Sequence, residues 1–256
     1  MKYNTDINIL GSIPNYELIY KALPLLVEDK SGLDKMLVEN NEFNLRTEKS
    51  RKRFLSLLNS GFLTDNSELN DFTRIISTFF EDDLKSQSIL VFWLFSINNR
   101  LFYELNRDVF LKYYFQGRAG IPKDDVIAYI KDAFSEDEEA RSKWSEVTIE
   151  TTASKYLTIL KKLDLVDGVR IKQFKYIRID DELLAIFIHL YKLIANRKSN
   201  ILEDDFLLFS FVSEENILER LKKIAKKDWI KMNFNGVALN VDAAFETKNI
   251  IDGIYR

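Results

Sequence analysis

The chain has 256 residues and is 46% hydrophobic, so it can bury a substantial core in one or two domains. Only 8 Gly and 3 Pro occur in that length, which favours long helices over a many-stranded sandwich. A formal net charge of -3 excludes a uniformly basic nucleic-acid coat, and the lack of cysteine excludes disulfides and thiolate chemistry.

The N-terminal segment is polar, and the longest apolar run, 89–97, is too short to span a bilayer. We interpret this run as a buried core helix. Without cysteine or an apolar leader, the sequence predicts a cytoplasmic protein with no membrane partner.

Apolar residues recur with helical periodicity along most of the chain. The predicted helices span 14–30, 31–41, 46–60, 68–80, 84–98, 99–116, 122–134, 148–166, 181–197 and 214–227. The acidic string 135–141 is expected to be an exposed connector. It divides a predicted N-terminal helical domain, 1–135, from a predicted C-terminal domain, 142–256, that contains winged-helix elements.

A basic cluster lies near the start of the helix predicted for 46–60. It consists of Arg46, Lys49, Lys52 and Arg53. The helical spacing places Arg46, Lys49 and Arg53 on one face and Phe54 towards the core. Dense patches of this kind favour phosphate binding, although a plain solvated surface has the same composition.

The segment 144–179 is unusual because one face of its predicted helix carries lysine and threonine with little acid. This polar stripe consists of Thr151, Lys155, Thr158 and Lys162. Gly168 is expected to end the helix with a positive φ, and two short strands are expected to turn over near Gln173.

Helix, turn and basic hairpin in this order are typical of the end of a winged helix-turn-helix. The stripe would then face a DNA major groove, and the hairpin would meet phosphates through Arg170, Lys172 and Lys175. A solvated helix beside an ordinary hairpin has the same pattern. If the stripe faces solvent, reversing the charge of Lys155, Lys162 and Lys172 should weaken DNA binding without lowering thermal stability.

A second hairpin is predicted at the C-terminal end, where Asn235-Gly236 lies between alternating strands. A two-residue turn would pair Phe234 with Val237 and Met232 with Leu239. The preceding lysine-rich helix either contacts DNA or keeps a small packing module soluble.

The chain shows no visible catalytic apparatus. The single histidine, His189, lies in an apolar helix and is expected to be a core residue. The acid pairs that begin at Asp124, Asp180 and Asp204 stand at expected helix starts, where carboxylates serve as caps. No glycine-rich phosphate loop is present. We therefore expect no enzyme activity, no metal site and no cofactor.

Three stretches resemble the BrxA family of bacterial BREX phage-defence clusters. They are ENNEFNLRTEKSRKRFLSLL, LVFWLFSINNRLFYELNRDVFLKYY and WSEVTIETTASKYLTILKKLDLVDG. The resemblance implies a mainly α DNA-binding protein, a helical bundle that is NusB-like in part, with winged helix-turn-helix elements and small β-hairpins. It also implies partnership with an ATPase, an adenine-specific methyltransferase and an alkaline-phosphatase-like protein. The acidic net charge and the lysine-rich C-terminal unit depart from the family pattern.

Two functions therefore stand as hypotheses. The first is a non-enzymatic component that binds double-stranded DNA through basic winged-helix surfaces. The alternative is a structural adaptor that docks other defence proteins without touching DNA. A continuous surface that joins the three basic clusters would favour the first, and scattered clusters would favour the second.

Overall fold

The computed structural model describes residues 2–194 and 197–255 and is mainly helical. The helices of the first half are α1 (Asp6–Leu10), α2 (Glu17–Glu28), α3 (Lys30–Asp34), α4 (Glu48–Phe62), α5 (Ser67–Phe79), α6 (Leu84–Asn98), α7 (Arg100–Leu105), α8 (Lys112–Phe115) and α9 (Lys123–Ser135). They are followed by α10 (Glu138–Lys143), α11 (Glu146–Lys162), α12 (Asp181–Leu193), α13 (Glu214–Ala225) and α14 (Ile250–Tyr255). The π-helical turns are Lys35–Glu39 and Asn106–Leu111, and the 3-10 helices are Ile201–Glu203, Asp205–Ser210 and Thr247–Asn249.

Five short strands form two small antiparallel sheets in the described part of the chain. The strands are β1 (Gly120–Ile121), β2 (Val166–Asp167), β3 (Lys172–Phe174), β4 (Ile230–Phe234) and β5 (Leu239–Ala243). The first sheet has the order β1-β3-β2, and the second pairs β4 with β5. In chain order, β1 is followed by α9, α10 and α11 and then by the β2–β3 hairpin. The central strand of the first sheet, β3, is therefore the last of its three strands in the sequence.

The helix α6 lies at the centre of the hydrophobic core, because nearly all of its side chains are buried. Its run from Ile89 to Phe95 is the long apolar stretch of the sequence, so the prediction of a buried core helix is confirmed. The indole nitrogen of Trp93 donates a hydrogen bond of 2.8 Å to the carbonyl oxygen of Phe209, which satisfies the polar atom of this buried ring. No described helix is both long enough and apolar enough to span a bilayer.

A buried polar chain ties α11 to the centre of the molecule. The hydroxyl of Tyr156 donates to the side-chain oxygen of Asn106 at 2.9 Å. The amide nitrogen of Asn106 donates to the hydroxyl of Ser96 at 3.1 Å, which in turn donates to the carbonyl of Phe92 at 2.6 Å. All three polar side chains are buried, so each bond would leave a costly unpaired group if it were broken.

Most of the predicted helices are confirmed, with differences at several places. The predicted 31–41 helix is divided between α3 and a π-helical turn. The predicted 99–116 helix is divided into α7, a π-helical turn and α8. The predicted 181–197 helix ends at Leu193, and residues 195 and 196 lie outside the described residues. The acidic string 135–141 was expected to be a connector, but it forms most of α10. Asp137 caps this helix by accepting from the amide of Ala140, whose side chain is buried.

The expected end of α11 and the expected turn of its hairpin were wrong. The helix ends at Lys162, and Asp164 takes the left-handed conformation with φ 59°. Gly168 does have the expected positive φ, at 97°, but it lies in the turn between β2 and β3. Gln173 is the middle residue of β3, where it pairs with Gly120 on one side and Asp167 on the other.

The register predicted for the C-terminal hairpin was wrong by two residues. Phe234 pairs with Leu239, so the loop holds four residues. The side chain of Asn235 causes this, because its oxygen accepts from the amides of Val237 and Ala238 and builds a wider turn. A shift of two residues keeps the same face of each strand inward, but it leaves Val237 exposed at the loop.

The two turn glycines predict different losses of stability. We expect Gly236→Ala to lower the free energy of unfolding by about 1–2 kcal/mol, because its φ of 94° disfavours an L side chain while the surrounding space is open. Gly168→Ala should cost more, because the added Cβ would also lie 2.5 Å from the carbonyl oxygen of Ile171. Urea unfolding of both variants measures the difference, and equal losses would contradict this geometry.

Candidate nucleic-acid interface

A surface groove of about 600 Å³ lies between α1, α4 and α11. We call it the basic groove. Its polar lining residues are Thr5, Asn8, Ser12, Thr47, Lys49, Ser50, Arg53, Thr151 and Lys155. Two of the basic clusters that are far apart in the sequence therefore meet here, because Lys49 and Arg53 come from α4 and Lys155 comes from α11.

The charge of the basic groove is not balanced. Its lining includes Lys49, Arg53 and Lys155 but no carboxylate. None of these three cations forms an ion pair with a described residue. Cations elsewhere are commonly paired, as Lys52 is with Glu48 at 2.6 Å. An anion that enters the groove therefore meets three unneutralised positive charges.

The first turn of α4 forms one wall of the groove. Thr47 caps this 15-residue helix by accepting from the amide of Ser50 at 3.1 Å. Lys49 and Arg53 are four residues apart and therefore project from the same face, where both are exposed. The positive end of the helix dipole adds to their charge.

The opposite wall depends on a close approach of α1 to α11. A Cβ on Gly11 would lie 2.8 Å from both the Cβ and the carbonyl oxygen of Lys155. Only glycine allows this approach, which places the residues of α1 beside the first half of α11. Thr151 stays exposed there, and Lys155 is half-buried.

The solvent-facing stripe predicted for α11 was wrong in its second half. The amine of Lys162 donates to the carbonyl oxygen of Gly11 at 3.2 Å and also to that of Ile13. Burial, followed by the charge of Lys155, lowers the pKa of this amine. Thr158 is half-buried and donates to the carbonyl of Ser154. Charge reversal at Lys162 would therefore lower stability, contrary to the expectation of no effect.

The cations of the β2–β3 hairpin are also less free than expected. The amine of Lys172 folds back to donate to the carbonyls of Gly168 and Val169 at 2.8 and 3.0 Å. Burial, followed by the charge of Lys161, lowers its pKa. Lys175 forms an ion pair with Asp164. Arg170 is exposed and has no described partner.

The predicted site residues thus separate into distinct groups. The basic groove gathers Lys49, Arg53, Thr151 and Lys155. Arg46 is exposed just before α4 and does not line the groove. Sequence reasoning missed Asn8 of α1 and Ser12, which follows α1, because nothing local in the sequence indicates that this short helix meets α11.

Two further clefts continue the path from the basic groove. Pro14 lines both the groove and a neighbouring cleft of about 510 Å³, which we call the central cleft. Lys175, Tyr176 and Ile177 line both the central cleft and a larger C-terminal cleft of about 1290 Å³. The C-terminal cleft reaches Lys222 of α13 and Lys226, the residue that follows this helix. Representatives of all three basic clusters therefore line a series of three clefts in which neighbouring clefts share lining residues.

The residues considered for catalysis have structural partners. His189 is 4% exposed, as expected of a core residue, and its Nε2 lies 3.2 Å from the carbonyl oxygen of Trp229. Burial is the main cause that lowers its pKa. Asp180 and Asp204 cap helices by accepting from the amides of Leu183 and Phe206. Within residues 2–194 and 197–255, no cluster of three or more His, Asp or Glu is placed to hold a metal ion.

These features define a mainly helical protein with a surface groove in which three unpaired cations meet. The chain matches the sequence model of the BrxA family over residues 2–189, and it belongs to that family. Membership associates it with a BREX phage-defence system. Neither the curated proteins nor the solved structures contain a match.

The coupling of Lys155 to Lys162 predicts a measurable titration. We expect Lys155→Gln to raise the pKa of the Lys162 amine, because the charge of Lys155 is one of the causes that lower it. NMR titration of the lysine side-chain carbons measures this pKa. Lys49→Gln is the matched control, since Lys49 lines the same groove without affecting Lys162. An unchanged pKa of Lys162 in the Lys155 variant would show that the charge of Lys155 does not act on the Lys162 amine.

Proposed function

We propose that this protein is a non-enzymatic DNA-binding component of a BREX-type phage-defence system. In this proposal, the basic groove holds phosphates of double-stranded DNA. The observation that carries it is the set of three cations, Lys49, Arg53 and Lys155, that face one groove without a carboxylate. Phosphate contacts supply most of the affinity in DNA binding, and they need cations that are free of internal partners.

The topology around α11 supports a winged-helix reading of this region. The β2–β3 hairpin follows α11 directly, and β1 from before α9 pairs on the other edge of β3. In helix-turn-helix proteins, the N-terminal residues of the recognition helix approach the bases. Thr151, near the start of α11, is exposed at the groove, whereas Lys162, at its end, is covered. The proposal therefore assigns DNA contact to the part of the helix from Thr151 to Lys155.

The same proposal gives Arg170 a supporting role and leaves Lys172 and Lys175 as structural residues of the hairpin. Arg170 is exposed and unpaired, whereas the other two are engaged within the protein. The groove offers one guanidinium, from Arg53, for base recognition, whereas the side-chain oxygen of Asn8 is buried. Sequence preference should accordingly be modest, and binding should weaken steeply with salt.

Family membership supports the remaining parts of the proposal. It favours action in the cytoplasm alongside the ATPase, the methyltransferase and the phosphatase-like protein of such a cluster.

A second candidate function, docking of these proteins, is favoured by the turn of the β2–β3 hairpin. Val169 is 87% exposed and Ile171 is 57% exposed, and exposed apolar side chains of this kind often mark protein contacts.

Neutralising the groove tests the DNA-binding proposal. We expect Lys49→Gln, Arg53→Gln and Lys155→Gln together to weaken binding of a blunt duplex by at least about tenfold at low salt, because three phosphate contacts are lost. Thermal stability should change little, because the three cations have no ion-pair partner to lose. Fluorescence anisotropy with a labelled duplex measures the affinity.

The matched control removes three positive charges elsewhere. Lys131, Lys143 and Lys248 each form an ion pair with a glutamate. Their triple replacement by glutamine changes the net charge equally and should leave affinity within about twofold, since they lie outside the basic groove. Equal weakening by both triples would show a diffuse effect of net charge. Absence of duplex binding by the parent protein would reject the proposal in favour of docking.

A further inference from the structure

The ridge between the central cleft and the C-terminal cleft carries an exposed aromatic ring. Tyr176 lines both clefts and is 87% exposed. Its ring makes no aromatic or cation–π contact with any described residue. A tyrosine ring usually buries part of its apolar surface, so a ring left this bare between two clefts lined by charged residues needs an explanation.

The backbone on both sides of this ring is held in place. The amide of Lys175 donates to the carbonyl oxygen of Leu165 at 3.1 Å. The amide of Ile177 donates to the hydroxyl of Tyr114 at 3.2 Å, and the Ile177 side chain is buried. Tyr176 therefore stands on an ordered ridge. A platform fixed in this way loses little freedom when a flat ligand group stacks on it.

Unpaired positive charge lies on the C-terminal side of the ring. Arg178 is exposed near Tyr176 in the C-terminal cleft and has no described partner. Lys226 lines the same cleft and is also exposed and unpaired, although Asp180, Asp181, Glu182 and Glu219 line this cleft as well. Along the other direction, the path leads through the central cleft and Pro14 to the basic groove. Aromatic rings between cations along a groove are the arrangement that binds single-stranded nucleic acid, with phosphates on the cations and bases stacked on the rings.

We propose that Tyr176 is a stacking platform for an unpaired base, and that the preferred ligand of the path is duplex DNA with a single-stranded extension. This inference rests on the proposed function, because the duplex part would occupy the basic groove. Inside a duplex, each base is covered by its stacked neighbours, so a base there exposes no face to Tyr176, whereas an unpaired base does.

The test compares three DNAs at one salt concentration. They are a blunt duplex, the same duplex with an extension of a few nucleotides, and that duplex with an abasic extension, which keeps the added phosphates but removes the bases. We expect the base-bearing extension to bind about tenfold more tightly than the abasic one, as stacking of a single base allows.

The Tyr176→Ala variant should lose this tenfold preference and bind the blunt duplex within about twofold of the parent. Tyr176→Phe should keep the preference, because stacking needs the ring and not the hydroxyl. Val169→Ala is the matched control, since Val169 is also 87% exposed but lines none of the three clefts.

The outcomes separate this inference from the proposed function. If the parent binds the blunt duplex but does not distinguish base-bearing from abasic extensions, the stacking role is overturned and Tyr176 becomes a candidate protein contact. An unchanged preference in Tyr176→Ala overturns it equally. If no DNA binds at all, the proposed function fails with it.

Discussion

The hydrogen-bonded chain from Tyr156 through Asn106 to Ser96 fixes how α11 is rotated about its axis. Burial raises the pKa of the Tyr156 hydroxyl, so this group remains a neutral donor to Asn106. Rotation of α11 by one residue would withdraw the hydroxyl and leave buried polar groups unpaired. With the inner face fixed in this way, Lys155, the residue immediately before Tyr156, lies about 100° around the helix axis from it, on the side where α1 and α4 complete the basic groove.

The position of α1 follows from contacts that reach across the sequence. The amide nitrogen of Asn99 donates to the side-chain oxygen of Asn4 at 2.7 Å, just before α1 begins. At its other end, the amine of Lys162 holds the carbonyl of Gly11. The amine of Lys162 thus stabilises the C-terminal end of α1, where the helix dipole favours positive charge. The two ends of α1 are anchored to α7 and α11, and the open space between α1 and α4 becomes the groove.

Local patterns were sufficient to predict most helices, the buried α6 and the acids that cap helices, because these features depend on periodicity and on neighbouring residues. Both hairpin turns were predicted at the wrong residues. In the C-terminal hairpin, the length of the loop depends on a single side chain. Asn235 widened the C-terminal loop through its own hydrogen bonds. The division into domains 1–135 and 142–256 stays a prediction.

The candidate binding residues were predictable as clusters but not as a site. In the sequence, Lys162, Lys172 and Lys175 lie in basic clusters, as do Lys49 and Lys155. In the structure, the first three are bound by backbone carbonyls or a carboxylate. Whether a lysine is free depends on contacts made by distant segments, such as Gly11 against α11. The sequence pattern does not show those contacts. It therefore could not distinguish exposed, unpaired cations from cations that are held within the protein.

The most direct measurement of the central claim is the salt dependence of duplex binding. We would compare the slope of log affinity against log salt for the parent and for the variant in which Lys49, Arg53 and Lys155 are replaced by glutamine. If these three cations each neutralise one phosphate, the slope should become shallower by about 2.7, since each contact contributes about 0.9. An unchanged slope would contradict the account, because it would place the phosphates elsewhere on the protein.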